Sequence, residues 1–160
     1  MDLRRAALVE DAMFCPIRIH RGGLGHDMPM KDMVVSPNLR ILLSGPQLTV
    51  NFGEEELLVA AKHLVGMPGV EKVAPRDVSY LHLLFARNEV MMVDAIWTES
   101  FQPGAYTMTG LESDQADEVY SLFPELKNPK LKRRFRDVRI VVRSHEAQIA
   151  RALLGFEARA

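Results

Sequence analysis

Through most of its first hundred residues the chain alternates apolar and polar positions in short stretches, and the period lengthens only afterwards. From Pro16, Ile17 and Ile19 alternate with Arg18 and His20, and Arg21-Gly22-Gly23-Leu24-Gly25 follows as a turn whose glycines suit positive φ. Met33–Ser36 reads as a second strand, Pro37-Asn38 as a tight connection, and Leu39–Leu43 as a third strand closed by Ser44-Gly45-Pro46. Leu48–Phe52 alternates again. The stretch Glu54–Val65 fits two templates: Leu57, Leu58, Ala61, Leu64 and Val65 keep a helical period, whereas Leu57-Leu58-Val59 suits a buried strand. Val78–Phe85 alternates most clearly, and Glu89–Val93 follows Arg87-Asn88 as its expected hairpin partner. Ile96–Phe101 is one more short strand, stopped by Pro103-Gly104.

The two ends of the chain read differently. Leu3, Ala6, Ala7 and Glu10 predict a short N-terminal helix with a thin apolar face between Leu3 and Met13. After Gly110, Ser113 is placed to cap a helix carrying Ala116, Val119, Tyr120 and Phe123, ended by Pro124. Val138, Ile140 and Val142 alternate as a strand. Ser144 is then expected to cap a last helix, with Ala147, Ala150, Leu153 and Leu154 inward and Gly155 at its end. The pattern therefore predicts a mainly β fold with a mixed α/β C-terminal tail: a poorly defined segment 1–13, a β-domain over 14–102, and an extension over 103–160 with helices and a basic segment. With 160 residues, one domain with a tail is expected rather than two domains.

Charge changes this picture little. Lys plus Arg (20) nearly balance Asp plus Glu (21), so any electrostatic partner must be local. The local candidate is Lys127–Arg136, whose six positive charges are interleaved with Leu131 and Phe135; such a run suits nucleic acid or an acidic protein, but basic runs are usually solvated faces, and nucleic acid is disfavoured. No apolar run approaches a membrane span and no secretory signal is visible, so the expectation is a protein without membrane association and cytoplasmic by default. Cys15 is the only cysteine; a thiol there becomes a nucleophile only with a base beside it, and an incidental thiol is the simpler reading. His20 and His26 straddle the glycine-rich turn without an evident carboxylate partner, which makes them loop histidines rather than a metal site. No metal and no cofactor is expected. The methionines, Met91 and Met92 among them, read as core filling or a soft apolar surface.

Taken in order, Pro16-Ile17-Arg18-Ile19, Gly22-Gly23-Leu24-Gly25 and Val35-Ser36-Pro37-Asn38-Leu39-Arg40-Ile41-Leu42-Leu43 resemble the middle of the bacterial Hint domain, the fold shared by hedgehog autoprocessing domains and inteins. There the run reads P-V-R-I-x-x-G-x-L-G, then V-S-P-x-H-x-x-L-L. The resemblance continues through Lys62-His63-Leu64-Val65, the Y-x-H strand at Tyr80 and His82, and the triplet Glu99-Ser100-Phe101. It reaches Leu122–Leu126 and Ser144–Ala147, so that it covers most of the chain from Cys15 onward. It implies a Hint-like β-fold lacking its N-terminal part, and a chemistry of autocatalytic N-to-S or N-to-O acyl shift at a peptide bond.

Two departures bear on that chemistry. The family opens with a Cys or Ser nucleophile and a C-F-x-x-G-T strand, whereas this chain is expected to enter the pattern near its midpoint. The family's T/S-x-x-H element, in which the hydroxyl orients the scissile amide and the histidine protonates its nitrogen, reads Ser36-Pro37-Asn38-Leu39 here. Leucine has no donor, acceptor or titratable group. The family's R-H-D aligns with Arg87-Asn88-Glu89, so Asn88 replaces a second histidine. Ser36, Leu39, His82 and Asn88 are thus the family-motif positions, two of them with a bland alternative: Ser36 as a plain Ser-Pro turn, and His82 as a half-buried histidine held by a backbone carbonyl. The resemblance leads to the expectation of a Hint module deficient in autoprocessing. Two alternatives stand beside it: the C-terminal half of a split Hint domain acting in trans with a separate nucleophile half or host protein, and a binding module using 127–136.

Overall fold

The computed structural model describes residues 2–4, 15–74, 79–81, 83, 85, 88–100, 117, 120, 121, 123–128, 137 and 139–155. The fold is mainly β, as the alternation predicts. Its strands are β1 (Asp2–Arg4), β2 (Ile17–Ile19), β3 (Met33–Val35), β4 (Arg40–Ser44), β5 (Glu56–Ala60), β6 (Val70–Lys72), β7 (Ser79–Leu81), β8 (Val90–Val93), β9 (Ile96–Glu99) and β10 (Ile140–Val142). They form a five-stranded sheet in the order β10-β5-β4-β9-β8, a three-stranded sheet β3-β2-β6, and the pair β1-β7. Its helices include a single turn, α1 (Thr49–Phe52), and α2 (Ser144–Leu153).

The core follows from the strand period. On β4, Ile41 and Leu43 point inward; across the antiparallel register they meet Val59 and Leu57 of β5. Ile17 and Ile19 of β2 join the same cluster with Leu48, Leu64 and Val142. Leu58 points the other way from Leu57 and Val59, yet it too is fully buried, so both faces of the sheet are closed at β5. β10 pairs with β5 in parallel, Ile140 beside Leu57 and Val142 beside Val59. α2 then lays Ala147 and Ala150, both without exposed surface, onto the core. The ion pair of Arg139 with Glu56 fixes the start of this arm.

Several elements differ from the pattern. Residues 2–4 are a strand rather than the start of a helix, because pairing with β7 (Leu3 beside Tyr80) supplies their backbone hydrogen bonds; residues 5–14 lie outside the described residues. Leu48–Phe52 is not a strand, because the 3-10 turn Pro46–Leu48 runs directly into α1, which Gly53 ends in the left-handed conformation. Glu54–Val65 resolves into β5 followed by a 3-10 turn, Ala61–His63. The hairpin partner of β8 is β9, not β7. Its two-residue turn, Asp94-Ala95, has positive φ at both positions, the geometry usually signalled by Asn-Gly and here unmarked by glycine. Ser144 is the first helical residue of α2, not its cap; the N–H of Arg143 donates to the Glu146 carboxylate at 2.7 Å. β6 had no sequence signal of its own. The helix expected after Ser113 and the basic run lie mostly outside the described residues. No helix of the described residues is long and apolar enough to cross a membrane.

At one end of the small sheet the glycine-rich turn packs backbone on backbone. The N–H of His20 donates to the Gly69 carbonyl at 2.8 Å, and Gly23 lies so close that a Cβ on it would meet Gly69 O at 2.8 Å and His20 O at 2.9 Å. His20 adds a side-chain clasp: Nδ1 faces Asp32 Oδ2 at 3.2 Å and Nε2 faces Glu71 Oε1 at 3.0 Å. The histidine thus has the two carboxylate partners that its sequence neighbourhood hides, because Glu71 arrives from β6. The Arg21 N–H, aided by His20, holds the Asp32 carboxyl below its usual range against a lesser desolvation effect. Among the described residues no group of three or more His, Cys, Asp or Glu side chains is arranged to hold a metal ion.

Replacing Gly23 by Ala therefore costs about 1–3 kcal/mol, as forced overpacking does. Gly53→Ala, at φ +74 with nothing within 4 Å of the new methyl, carries only the left-handed penalty of roughly 1–2 kcal/mol. Urea denaturation of the pair checks this; a Gly23→Ala variant as stable as wild type would show that the close approach is relaxed in solution.

Candidate functional site

The family-motif positions fall into two places. The first is the turn between β3 and β4. The Leu39 N–H closes it on the Ser36 carbonyl at 3.0 Å, and the Ser36 hydroxyl accepts the Asn38 N–H at 3.3 Å. Pro37 is buried, which fixes the turn against the body of the domain. The 3-10 turn Ala61–His63 supports it from below: the N–H of Ala61 donates to Leu39 O, that of Lys62 to Pro37 O, and Lys62 Nζ to Asn38 Oδ1 at 2.9 Å. Leu39 is partly buried and packs against the core cluster. His63, on the supporting turn, has its pKa held below the ordinary histidine range by burial and then by the adjacent Lys62 charge.

The second place is a polar cluster on the far face of the large sheet, and register explains it. Ile41 lies across from Thr98, so one step along β4 and β9 sets Arg40 across from Glu99, on the opposite face. Val90 lies across from Glu99, and Asn88, two residues earlier, is its diagonal neighbour on that face. The side chains close a network. Arg40 Nη1 donates to Glu99 Oε2 at 2.9 Å, Asn88 Nδ2 donates to Glu99 Oε1 at 2.5 Å, and the Ser100 hydroxyl donates to Asn88 Oδ1 at 3.0 Å. The Glu89 N–H donates in turn to Ser100 Oγ at 3.0 Å, while the Ser100 N–H donates to Glu89 O. Arg40 Nη1 also donates to Asp137 Oδ1 at 2.5 Å.

Asn88, Glu99 and Ser100 are all buried. Burial is the largest influence on Glu99 and pushes its carboxyl above the usual range; the Asn88 amide and Arg40 oppose this, and the Asp137 charge adds to it. The Ser100 proton is committed to an amide oxygen, and no histidine or carboxylate among the described residues accepts it as a base.

Of the four motif positions, Ser36 and Leu39 share one turn, Asn88 sits in the second cluster, and His82 lies outside the described residues. Arg40 and Asp137 were not picked out from the sequence. Arg40 follows Leu39 directly and was legible as a charge in an apolar run; Asp137 gave no signal. Cys15 is a free thiol of intermediate exposure.

Comparison with known families finds one match: the family model described as Hint domain aligns with residues 2–105. That span contains β1 through β9, the Ser36–Leu39 turn and all of the polar cluster except Asp137. No curated protein and no solved structure matches the chain.

Ser100→Ala deletes the hydroxyl that joins Asn88 to the Glu89 backbone and costs about 1–3 kcal/mol, whereas Ser44→Ala, at an exposed position on β4, stays within about 0.5 kcal/mol. Equal midpoints in urea would refute the network's structural weight. A second outcome concerns pH. Glu99 binds its proton more tightly folded than unfolded, so its contribution is full below the unfolded value near 4.5 and is lost as pH rises through the folded pKa. Stability measured from pH 4 upward therefore declines in wild type relative to Glu99→Gln, whose profile lacks that component.

Proposed function

Because the chain belongs to the Hint-domain family, we propose that it is a Hint module that does not process itself and acts as a structural or interaction piece. The observation that carries this reading is Leu39. It stands where the T/S-x-x-H element of the resembling domains has its histidine, and it is held there by the Ser36 carbonyl, the Ala61 N–H and the core behind it. A side chain without a titratable proton cannot protonate a departing amide nitrogen. General acid–base help of this kind is worth about 10²–10⁴-fold, or roughly 3–5 kcal/mol of barrier.

Two further observations support the reading. The Ser36 hydroxyl, which in the family pattern orients the scissile amide, accepts the Asn38 N–H within its own turn. Asn88, at the place of the second family histidine, joins Glu99 to Ser100 in a buried network that ties β8 to β9. Both motif remnants now serve the fold, which is what loss of the chemistry with retention of the scaffold leaves behind.

Intact-mass analysis tests the proposal. Purified protein incubated with dithiothreitol or hydroxylamine is expected to keep a single undiminished mass over days. Cleavage at a defined peptide bond under those conditions refutes it. A covalent product formed only after mixing with a separately expressed Hint N-terminal half refutes it as well, in favour of action in trans.

A further inference from the structure

Arg40 is contacted by carboxylates from two parts of the chain that are distant in sequence. Glu99 Oε2, at 2.9 Å, belongs to β9 inside the matched span; Asp137 Oδ1, at 2.5 Å, lies outside that span, shortly before β10. Both bonds go to the same guanidinium nitrogen, Nη1, whose two N–H groups bring the two carboxylates close to one another. They also repel each other across it. The inner acid is buried and the outer one is exposed, so the inner one is the acid whose protonation state the protein environment controls.

We propose that this shared guanidinium couples the protonation of Glu99 to the docking of the C-terminal arm, β10 with α2: the arm is held most firmly while Glu99 carries its proton and loosens as Glu99 ionises. When Glu99 is neutral, the ion pair of Arg40 with Asp137 is no longer weakened by the Glu99 charge. When Glu99 is charged, two anions share one cation, and the exposed partner gives way because water can replace its contact. The coupling is reciprocal by thermodynamic necessity: if the Asp137 charge makes Glu99 harder to ionise, ionising Glu99 must weaken the hold on Asp137 by the same factor. The ionisation of Glu99 is governed, among the described residues, first by burial, then by the Asn88 amide ahead of β8 and Arg40 from β4, which favour the charged form, and by the Asp137 charge, which opposes it; Ser100 bears on it through Asn88.

Release of the arm has a structural meaning. β10 covers one edge of β5, so its departure opens the backbone of Leu57-Leu58-Val59 to any extended chain able to add a strand. The equilibrium lies with the docked arm, because Val142, Ala147 and Ala150 are buried with it; Glu99 adjusts how often it opens.

The test pairs a titration with hydrogen exchange on the full chain. Carboxyl NMR of wild type and Asp137→Asn follows Glu99 directly; the variant is expected to titrate at lower pH. Backbone amides of β10, corrected for intrinsic exchange chemistry, are expected to lose protection by roughly two- to five-fold as pH rises through the Glu99 titration, the range in which exposed charge pairs couple. Amides of β2, in the three-stranded sheet, serve as the reference, and in Glu99→Gln the β10 and β2 profiles run parallel. An unchanged Glu99 titration in Asp137→Asn overturns the proposal, as does a wild-type β10 profile parallel to that of β2. Should Glu99→Gln fail to fold, the Asp137→Asn titration decides alone. Neither readout involves peptide cleavage, so the outcome is independent of whether the module processes itself.

Discussion

A strand buried on both faces can be kept only if both of its edges are paired, and β5 imposes that constraint on the rest of this fold. Leu57, Leu58, Val59 and Ala60 are all buried, so the strand offers no side to water, and its backbone groups must be satisfied within the sheet. β4 supplies one edge from close by in the chain. The other edge is supplied by β10, in parallel, from far along the sequence. Once β10 is there, α2 has to pack closely behind it, which is why alanines face the core at 147 and 150: a larger residue would hold the helix off the sheet. The family-matched span thus shares its core with β10 and α2.

The polar cluster is the second consequence of the same sheet. A charged pair on the covered face of β4 and β9 would be costly if either partner stood alone. Here the charge on Glu99 meets Arg40 by register and Asn88 by diagonal placement, and Ser100 completes the chain of donors back to the Glu89 backbone. The result is specificity of pairing: a one-residue slip of β9 against β4 would carry Glu99 to the apolar face and strand it beside Ile41. In that sense the cluster fixes the alignment of the strands next to Leu39 and Asn88.

Much of this was legible in the chain because it is local. The alternation at Ile17–Ile19, Arg40–Ser44 and Ile96–Glu99 names its strands, and the spacing of Ala147, Ala150, Leu153 and Leu154 names its last helix. What failed to show was long-range. The strand at Asp2–Arg4 exists because Ser79–Leu81 pairs with it, and three residues cannot announce a partner so far away. Leu48–Phe52 alternates like a strand, but Pro46 and Gly53 bracket it as a turn of helix. Asp94-Ala95 makes a hairpin turn without the glycine that usually marks one. The candidate site divides in the same way: Leu39 and Asn88 stood out against a pattern, whereas Arg40 and Asp137 became interesting only when the fold brought them to the same place.

The parallel pairing of β10 with β5 also orders events in time. A chain emerging from the ribosome presents β4 and β5 together, but the second edge of β5 stays open until the residues of β10 have been made, and non-local pairings of this kind are slow to form. During that interval Leu57-Leu58-Val59 is an apolar strand with an unsatisfied backbone edge, the kind of segment that recruits neighbouring chains. Until β10 is made, that edge of β5 is the exposed part of this architecture.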